Sequence, residues 1–585
     1  MFNPNKKNQQ SRKEKSQVDP ELALRFAKKI ESETSLGFLD KLFKELPELE
    51  FYLVGGMVRD TIIKHPTSKD YDFIARGVNW DELVHALQKF GRVDMAGRNY
   101  GVIKFNPENS TLREAIDIAL PRVEFAEGTG GYHDIDAQAD PNLTIAEDLS
   151  RRDLTINAMS WDVRQHEILD PFNGQADLKA GMIRCVGNPK ARFQEDYSRM
   201  LRAMRFACRF DFKIEDQTWA ALTKLMTKID DVRNVKIMDV LQRKIALTKD
   251  QKKKDYLRAQ LANQLAANPD ETMAEYVVPR ETVAKELFKT LKENPARALK
   301  LWDESGALKA FLPETLKMKN CEQPPEFHSE GDVWTHTKMM LEKINSKEFR
   351  ELFKGVHVSG EFVLGVIGHD AGKPLTKKTP AEHGVNRIRF DGHDQASAKI
   401  MEDIANRLSL SKEQKEMLKF MASEHMVSMA APNIYNLRAN TFAKRFIDSP
   451  YSQELLMLFY LDSACSVRAD GGDTLKNFRH TLNRIQEIKQ IREKQPSKII
   501  DGRKIMDVLQ IKGGPLIGCV TLVFSELADS GRINSEAEAI TLLERHKDLF
   551  KSYLDKITGS DREQIAQVII DQIVKFLKTK KNLSQ

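Results

Sequence analysis

Two aspartates one residue apart, Asp70 and Asp72 in KDYDFIA, are the first residues along this chain whose spacing suggests chemistry. On a strand they point to one face, where they repel each other unless a cation lies between them. Mg²⁺, which takes carboxylate oxygens, waters and phosphate oxygens, answers that need. Asp117, in EAIDI on another predicted strand, is the candidate third ligand. Upstream, Gly55 and Gly56 follow the apolar run FYLV and precede a helix-like segment that carries Arg59. Glycines at such a turn let backbone N–H groups approach an anion, and the guanidinium adds a charged donor. Taken alone, DYD also reads as a solvated surface strand. The glycine turn at this distance upstream favours a two-metal phosphoryl-transfer site.

Two arginine-bearing stretches follow. The first is RRDLTINAM, Arg151 to Met159, with Arg152 and Asp153 at its head. The second is FQEDYSRMLRAMRF, Phe193 to Phe206. At about 100° per residue, Arg199, Arg202, Arg205 and Arg209 fill an arc roughly 120° wide, with Asp196 at its edge. Such a stripe also reads as a solvated face with an i,i+3 ion pair. Beside a phosphoryl-transfer site, a carboxylate next to a guanidinium can instead read a base edge. The carboxylate accepts from the amino group of cytosine or adenine, and guanine presents a carbonyl oxygen there.

A separate series runs through His336, the pair His369-Asp370, and Asp462. Imidazole with carboxylate suits a transition metal. His393 and His425 are candidates for further ligands or substrate contacts, and the same series also reads as a structural remnant.

The first three stretches resemble the nucleotidyltransferase signature of the DNA polymerase beta superfamily. They are most similar to class II tRNA nucleotidyltransferases (CCA-adding enzymes) and bacterial poly(A) polymerases. The resemblance implies that Asp70, Asp72 and Asp117 are catalytic, with Asp70 and Asp72 binding Mg²⁺. It implies nucleotide contacts from Gly55, Gly56, Arg59, Arg152, Asp153, Arg202 and Arg205, and selection of CTP and ATP by Asp196 and Arg199. ALPRVE with GTGGY, Ala119 to Tyr132, resembles the flexible loop of bacterial CCA-adding enzymes, departing from it at Pro121 and in its acidic middle. DGRKIM with GGPLIG, Asp501 to Gly518, resembles their tail. The histidine series resembles the HD phosphohydrolase domain that some of these enzymes carry. That resemblance implies phosphatase or 2′,3′-cyclic phosphodiesterase activity with metal held by His336, His369, Asp370 and Asp462. The implied reaction adds CMP, CMP and AMP from CTP and ATP to the 3′ end of tRNA without a template, releasing pyrophosphate. Poly(A) polymerase, or a partial A-adding or CC-adding enzyme, is the alternative.

The elements that must position these residues imply an α+β protein of several domains, since 585 residues exceed one core. Strand-like runs FYLVGG, DYDFIA, YGVIKF, AIDIAL and WDVRQHEILDPF alternate with helical segments, predicting a small mixed α/β head over residues 48–165. A mostly helical remainder divides into a neck and body over 166–325, an HD domain over 326–475 and a tail over 476–585. Residues 1–47 form an extension whose basic start reads as a solvated tail. The lysine-rich segment 230–274 matches nothing in the resemblance. Lys252 to Lys254, Pro324-Pro325, Pro496 and Gly513-Gly514-Pro515 read as punctuation. Charged residues make up 30% and the net charge is only +6, so local basic faces matter more than the total. Five cysteines without a CxxC pair point to a reducing cytoplasm. Neither a secretory leader nor a membrane span is expected, and no obligate protein partner is evident.

Overall fold

The computed structural model describes residues 20–582 apart from 66–69, 96–101, 127–129, 132–134, 249, 430–432, 494–498, 555 and 558–561. The basic opening stretch, Lys69, Gly128, Thr129, Tyr132 and Pro496, all singled out above, lie outside the described residues. The chain forms two compact units. One is Met1–Leu316 with Asn406–Leu410; the other is Lys317–Ala405 with Ser411–Gln585.

The first unit opens with helix α1 (Pro20–Glu31), whose buried Phe26 stacks on Trp161 at 4.6 Å. The strands are β1 (Glu50–Val54), β2 (Asp72–Arg76), β3 (Gly91–Met95), β4 (Val102–Pro107), β5 (Ile116–Ala119), β6 (Arg122–Ala126), β7 (Ile135–Ala139), β8 (Ser160–Asp162) and β9 (Glu167–Leu169). Seven of them make one sheet in the order β3-β4-β5-β2-β1-β8-β9, and β6 pairs with β7. Phe51, Tyr52, Leu53 and Val54 are all buried. That unbroken apolar run is what a central strand covered on both faces requires. Within this sheet β2 and β5 pair in parallel, and their neighbours β1 and β4 run antiparallel to them.

Three strand expectations need correction. WDVRQHEILDPF is not one strand but the hairpin β8–β9, turned where His166 adopts a left-handed backbone (φ 56°). β9 therefore carries the sheet past residue 165. β3, GRVDM, is an edge strand and the hairpin β6–β7 stands apart, so neither carries the apolar run that marks a covered strand. Asp70 precedes β2 rather than lying on it.

Helices α2 (Gly56–Ile62), α3 (Ile145–Ser150), α4 (Pro189–Glu195), α5 (Ser198–Phe210) and α6 (Arg280–Glu293) complete the parts of this unit that bear on the site. The lysine-rich segment is a two-stranded antiparallel ribbon, Val232–Lys236 on Thr272–Tyr276, with helices Ile237–Leu247 and Gln251–Ala267 between the strands. Lys252 to Lys254 are not a break. They sit in the first turn of the second of these helices, because the Asp250 side chain accepts from the Lys253 N–H and caps it.

The second unit is helical. It includes α7 (Val333–Lys343), α8 (Gly360–Gly368), α9 (His393–Arg407), α10 (Lys412–Met429) and α11 (Ser452–Cys465). Its tail packs around helix Pro515–Asp529, where Leu516, Val520, Val523, Phe524 and Leu527 recur at helical spacing and are buried. Pro515 at the first helical position after Gly513-Gly514 is the expected start signal.

Candidate active sites

In the first unit, register brings the acids together. Asp72 on β2 and Asp117 on β5 are direct partners. The Asp117 N–H donates to the Tyr71 carbonyl (3.1 Å), which keeps the segment carrying Asp70 against β5. Lys104 on β4, the partner of Asp117 on its other side, donates to Asp117 Oδ1 at 2.7 Å. Among the described residues the three carboxylates do not gather within 4.8 Å of one another. Like charges repel, and the ammonium of Lys104 holds Asp117. Asp72 is exposed at the start of β2, yet the protein around its carboxyl desolvates it; desolvation, then Asp117 and Asp70, push that carboxyl up to about 6 against the pull of Arg152 and Lys104. A carboxylate raised in this way is short of positive charge, and such a donor set fits a hard divalent ion.

The glycine turn lies alongside. Gly55 takes φ 75°, ψ −139°, a conformation open to glycine, and a β-carbon there would sit 3.5 Å from Asp72 Oδ2 and 3.6 Å from Arg152 Nη1. Arg59 differs from expectation. Its guanidinium is buried between the rings of Phe206 and Phe210, each 4.9 Å away, and donates to Asp60 Oδ1 (2.7 Å) and Asn157 Oδ1 (2.6 Å). Arg209 reaches the other oxygen of Asp60 at 3.1 Å. These contacts lock α2 onto α5, so in this conformation Arg59 positions the turn.

Asp153 accepts from the Leu154 N–H (2.9 Å), from Asn157 Nδ2 (3.1 Å) and from Arg202 Nε (2.7 Å). Burial would raise its carboxyl, but Arg202, Asn157 and Arg199 outweigh burial and hold it well below the usual range. Asp196, just after α4, accepts from the Ser198 N–H at 2.8 Å, and burial raises its carboxyl. The arginine stripe forms as the spacing predicts, on α5, but its members part company. Arg199 donates to Glu195, Arg202 to Asp153, and Arg205 to Glu286 on α6 at 2.6 Å. Arg205 therefore ties α5 to its neighbour helix. Of the loop residues described, Gly130 (φ 77°) accepts the Tyr197 N–H at 3.0 Å, and a β-carbon there would fall 2.0 Å from the Tyr197 ring.

In the second unit, His336 (α7), His369 just after α8, Asp370 and Asp462 (α11) meet with their side chains buried. His336, His369 and Asp462 offer ligand atoms within 4.8 Å of one another. His336 Nε2 lies 3.0 Å from Asp462 Oδ1, and its Nδ1 lies 2.8 Å from Glu330 Oε1. Burial would lower the His336 imidazole, but these two carboxylates outweigh it and raise it to about 9, so a proton sits where the carboxylates call for a cation. Burial would raise Glu330, but His328, His336 and the Val467 N–H bring it down to about 2. Asp370 stays ionised for a similar reason: burial opposes, and Lys373 and His369 outweigh it. The His369 Nε2 and Asp370 Oδ1 atoms are buried without a hydrogen-bond partner. The cluster opens into a cavity of about 960 Å³ whose wall includes Lys373, Arg387, Arg468, Phe327 and Phe390.

A relative, the multifunctional CCA protein of Acidovorax sp. (strain JS42), is 30% identical over 385 residues, covering 64% of this chain and 72% of its own length. This chain belongs to the multifunctional CCA protein family. The corresponding protein of Nitrosospira multiformis is 29% identical over 378 residues, covering 64% of this chain and 73% of its own. Residues 51–184 match the Poly A polymerase head domain. Among solved structures, a CCA-adding enzyme in apo form I overlays with a TM-score of 0.52 at 20% identity, covering 90% of this chain and 94% of that one. The Bacillus stearothermophilus CCA-adding enzyme in complex with CTP gives 0.52 at 16% identity, covering 89% and 99%. At those identities the overlays establish the shared fold. Among the described residues, no helix is long and apolar enough to cross a membrane.

Four residues around these sites escaped the sequence reading: Lys104, Glu286, His328 and Glu330. Glu330 precedes α7, whose cap is Asp332, so neither helical spacing nor capping marks it. Its effect is testable. Glu330→Gln removes the charge that orients His336, and a metal-bound imidazole that loses such a carboxylate binds its ion about 10–100-fold more weakly. Mn²⁺ titration of the full chain, read in the second unit by comparison with a His369→Ala control, should show that loss. An unchanged affinity would reduce Glu330 to a packing role.

Proposed function

We propose that this protein adds CMP, CMP and AMP from CTP and ATP to the 3′ end of tRNA without a template, releasing pyrophosphate. One observation carries the reading: the pairing of Asp72 with Asp117 beside the Gly55 turn, where the Asp72 carboxylate, short of positive charge, lies near Arg152. Asp70, Asp72 and Asp117 would hold Mg²⁺, which when bound lowers the pKa of an attacking hydroxyl and neutralises triphosphate charge. Gly55 and Gly56 let a phosphate approach the backbone. Arg152 and Arg202, already held by Asp148 and Asp153, present a preset cationic edge to the triphosphate and sugar. Asp196 and Arg199 are the candidates for reading the base. Arg199 donates to Glu195 in this conformation, so base reading calls for its guanidinium to turn to the nucleotide. Arg59 and Arg205 support the site through Asp60 and Glu286.

A second activity, metal-dependent hydrolysis of phosphate esters, is favoured by the second unit, where the buried atoms without partners on His369 and Asp370 belong to a cluster opening into a cavity lined by charges of both signs, with Lys373, Arg387 and Arg468 available to a phosphate. Imidazole and carboxylate donors suit a transition metal there.

The test is direct. Full-length protein with Mg²⁺, tRNA lacking its terminal nucleotides, and labelled CTP, ATP or UTP should incorporate C, C and A and then stop, and should ignore UTP. A long A tail would replace this reading with poly(A) polymerase, and incorporation of C or A alone with a partial enzyme.

A further inference from the structure

Lys104 ends a row of charges. Register across adjacent strands sets Asp72 on β2 beside Asp117 on β5, and Asp117 beside Lys104 on β4. Residues opposite each other on neighbouring strands share a face, and such strands lie about 4.8 Å apart. Ile103 and Phe105, on either side of Lys104 in the chain, point the other way and are buried. The strand order β4-β5-β2-β1 therefore lays Lys104, Asp117 and Asp72 across one face, with the Gly55 turn at the end of β1 beyond Asp72.

The two ends of the row differ. At one, the Gly55 turn and Arg152 lie beside Asp72 and suit a triphosphate. In phosphoryl transfer the attacking and leaving oxygens stand roughly in line, on opposite sides of the phosphorus. With pyrophosphate leaving towards the Gly55 turn, the attacking hydroxyl comes from the Lys104 end. That hydroxyl belongs to the 3′ end of an RNA. The negative charge nearest to it along that RNA is the phosphodiester joining the last two nucleotides.

Lys104 has the charge and the reach to meet it. Its Nζ donates to Asp117 Oδ1 at 2.7 Å, and 48% of its side chain is exposed. Its register partner on the other side is Asp94 on edge strand β3, and Asp94 accepts from Arg92 Nε at 2.9 Å. Asp117 is a candidate ligand of the divalent ion, and a carboxylate that turns to a dication releases the ammonium. A lysine ammonium is a compact charge on a flexible four-carbon stem, able to swing from one anion to another.

We propose that Lys104 binds the last phosphodiester of the RNA acceptor end, exchanging Asp117 for it when the divalent ion takes Asp117. The ammonium then opposes the ion while RNA is absent and holds the RNA once the ion is present. Each ligand favours the other, as linkage requires. The identity of the RNA rests on the nucleotide-addition reading above.

The experiment measures binding of tRNA lacking its terminal nucleotides to full-length protein, with Mg²⁺ and without CTP or ATP, so that nothing reacts. Lys104→Met keeps the length of the stem and removes the charge. It should weaken binding about tenfold, the loss of one charge-assisted hydrogen bond, and Lys104→Arg should restore most of it. The decisive comparison uses tRNA whose last phosphodiester is a neutral methylphosphonate. The parent protein should bind it about tenfold more weakly than the natural linkage, and Lys104→Met should bind both alike. Mn²⁺ titration without RNA, in a His369→Ala background that weakens binding at the other unit, should show Lys104→Met taking up the ion a few-fold more tightly than the parent. A methylphosphonate penalty that survives in Lys104→Met overturns the proposal, and so does a parent protein indifferent to the linkage, a result that needs no substitution. Unchanged Mn²⁺ affinity overturns the exchange at Asp117. Incorporation of labelled CTP and ATP separates the two ideas. A parent that adds no nucleotide sinks the nucleotide-addition reading. A parent that adds C, C and A, beside a Lys104→Met variant that binds both RNAs as the parent does, sinks only the role of Lys104.

Discussion

Replacing Asp72 with asparagine should abolish nucleotide addition while raising the melting temperature of the metal-free protein. The first effect follows from charge. Asparagine keeps the shape but loses the anion that would hold the cation, and losing about 4 kcal/mol of transition-state stabilisation slows addition ~10³-fold. The second follows from linkage. The folded chain holds the Asp72 carboxyl at about 6, above the ordinary 3.8, through desolvation and the neighbouring acids. Between those two values the folded state binds more protons than the unfolded one, so stability falls as pH rises through that window and stays reduced above it. The gain from Asp72→Asn is therefore full at pH 8 and shrinks as pH drops below about 6. Scanning fluorimetry in EDTA at pH 8 and pH 5.5, with single-turnover CTP incorporation, reads both. A variant that is less stable at pH 8, or that still adds nucleotide, would remove Asp72 from the proposed site.

The second large effect separates the two units. His369→Ala should cut phosphate ester hydrolysis by ~10³-fold, since it deletes a ligand of the proposed metal centre. Addition of C, C and A to tRNA should continue, because no residue of that reaction comes from the histidine cluster. The substitution takes a buried ring from beside Asp370, and packing loss of about 2–4 kcal/mol is the expected cost to the second unit. Asp370 keeps its ion pair with Lys373, so no carboxylate is left buried and alone. Hydrolysis by the variant at the parent rate would make the cluster structural. Circular dichroism would establish that the variant is folded.

Much of both sites is written locally. The helix carrying Arg199 to Arg209 follows from spacing alone, and it forms over Ser198–Phe210. FYLV announces a covered strand, and Pro515 after two glycines announces a helix start. β3 and the β6–β7 hairpin have no apolar run to mark them, and the charge of the Lys252 cluster reads as a break although Asp250 caps a helix there.

What the sequence by itself determined is which chemistry the chain can carry: acids spaced for a divalent ion, a glycine turn for phosphate, an arginine stripe, and a histidine–aspartate series. Those are properties of neighbours along the chain, where strand alternation and helical pitch set geometry. Tertiary structure decided which partner each group takes. Strand register set Asp72 opposite Asp117 and Lys104 beside it. Helix packing gave Arg205 to Glu286, Arg59 to Asp60 and Asn157, and brought His393 and His425 to one oxygen of Asp370. Charges and lone pairs act over a few ångströms through space, and residues that close can be separated by any length of chain.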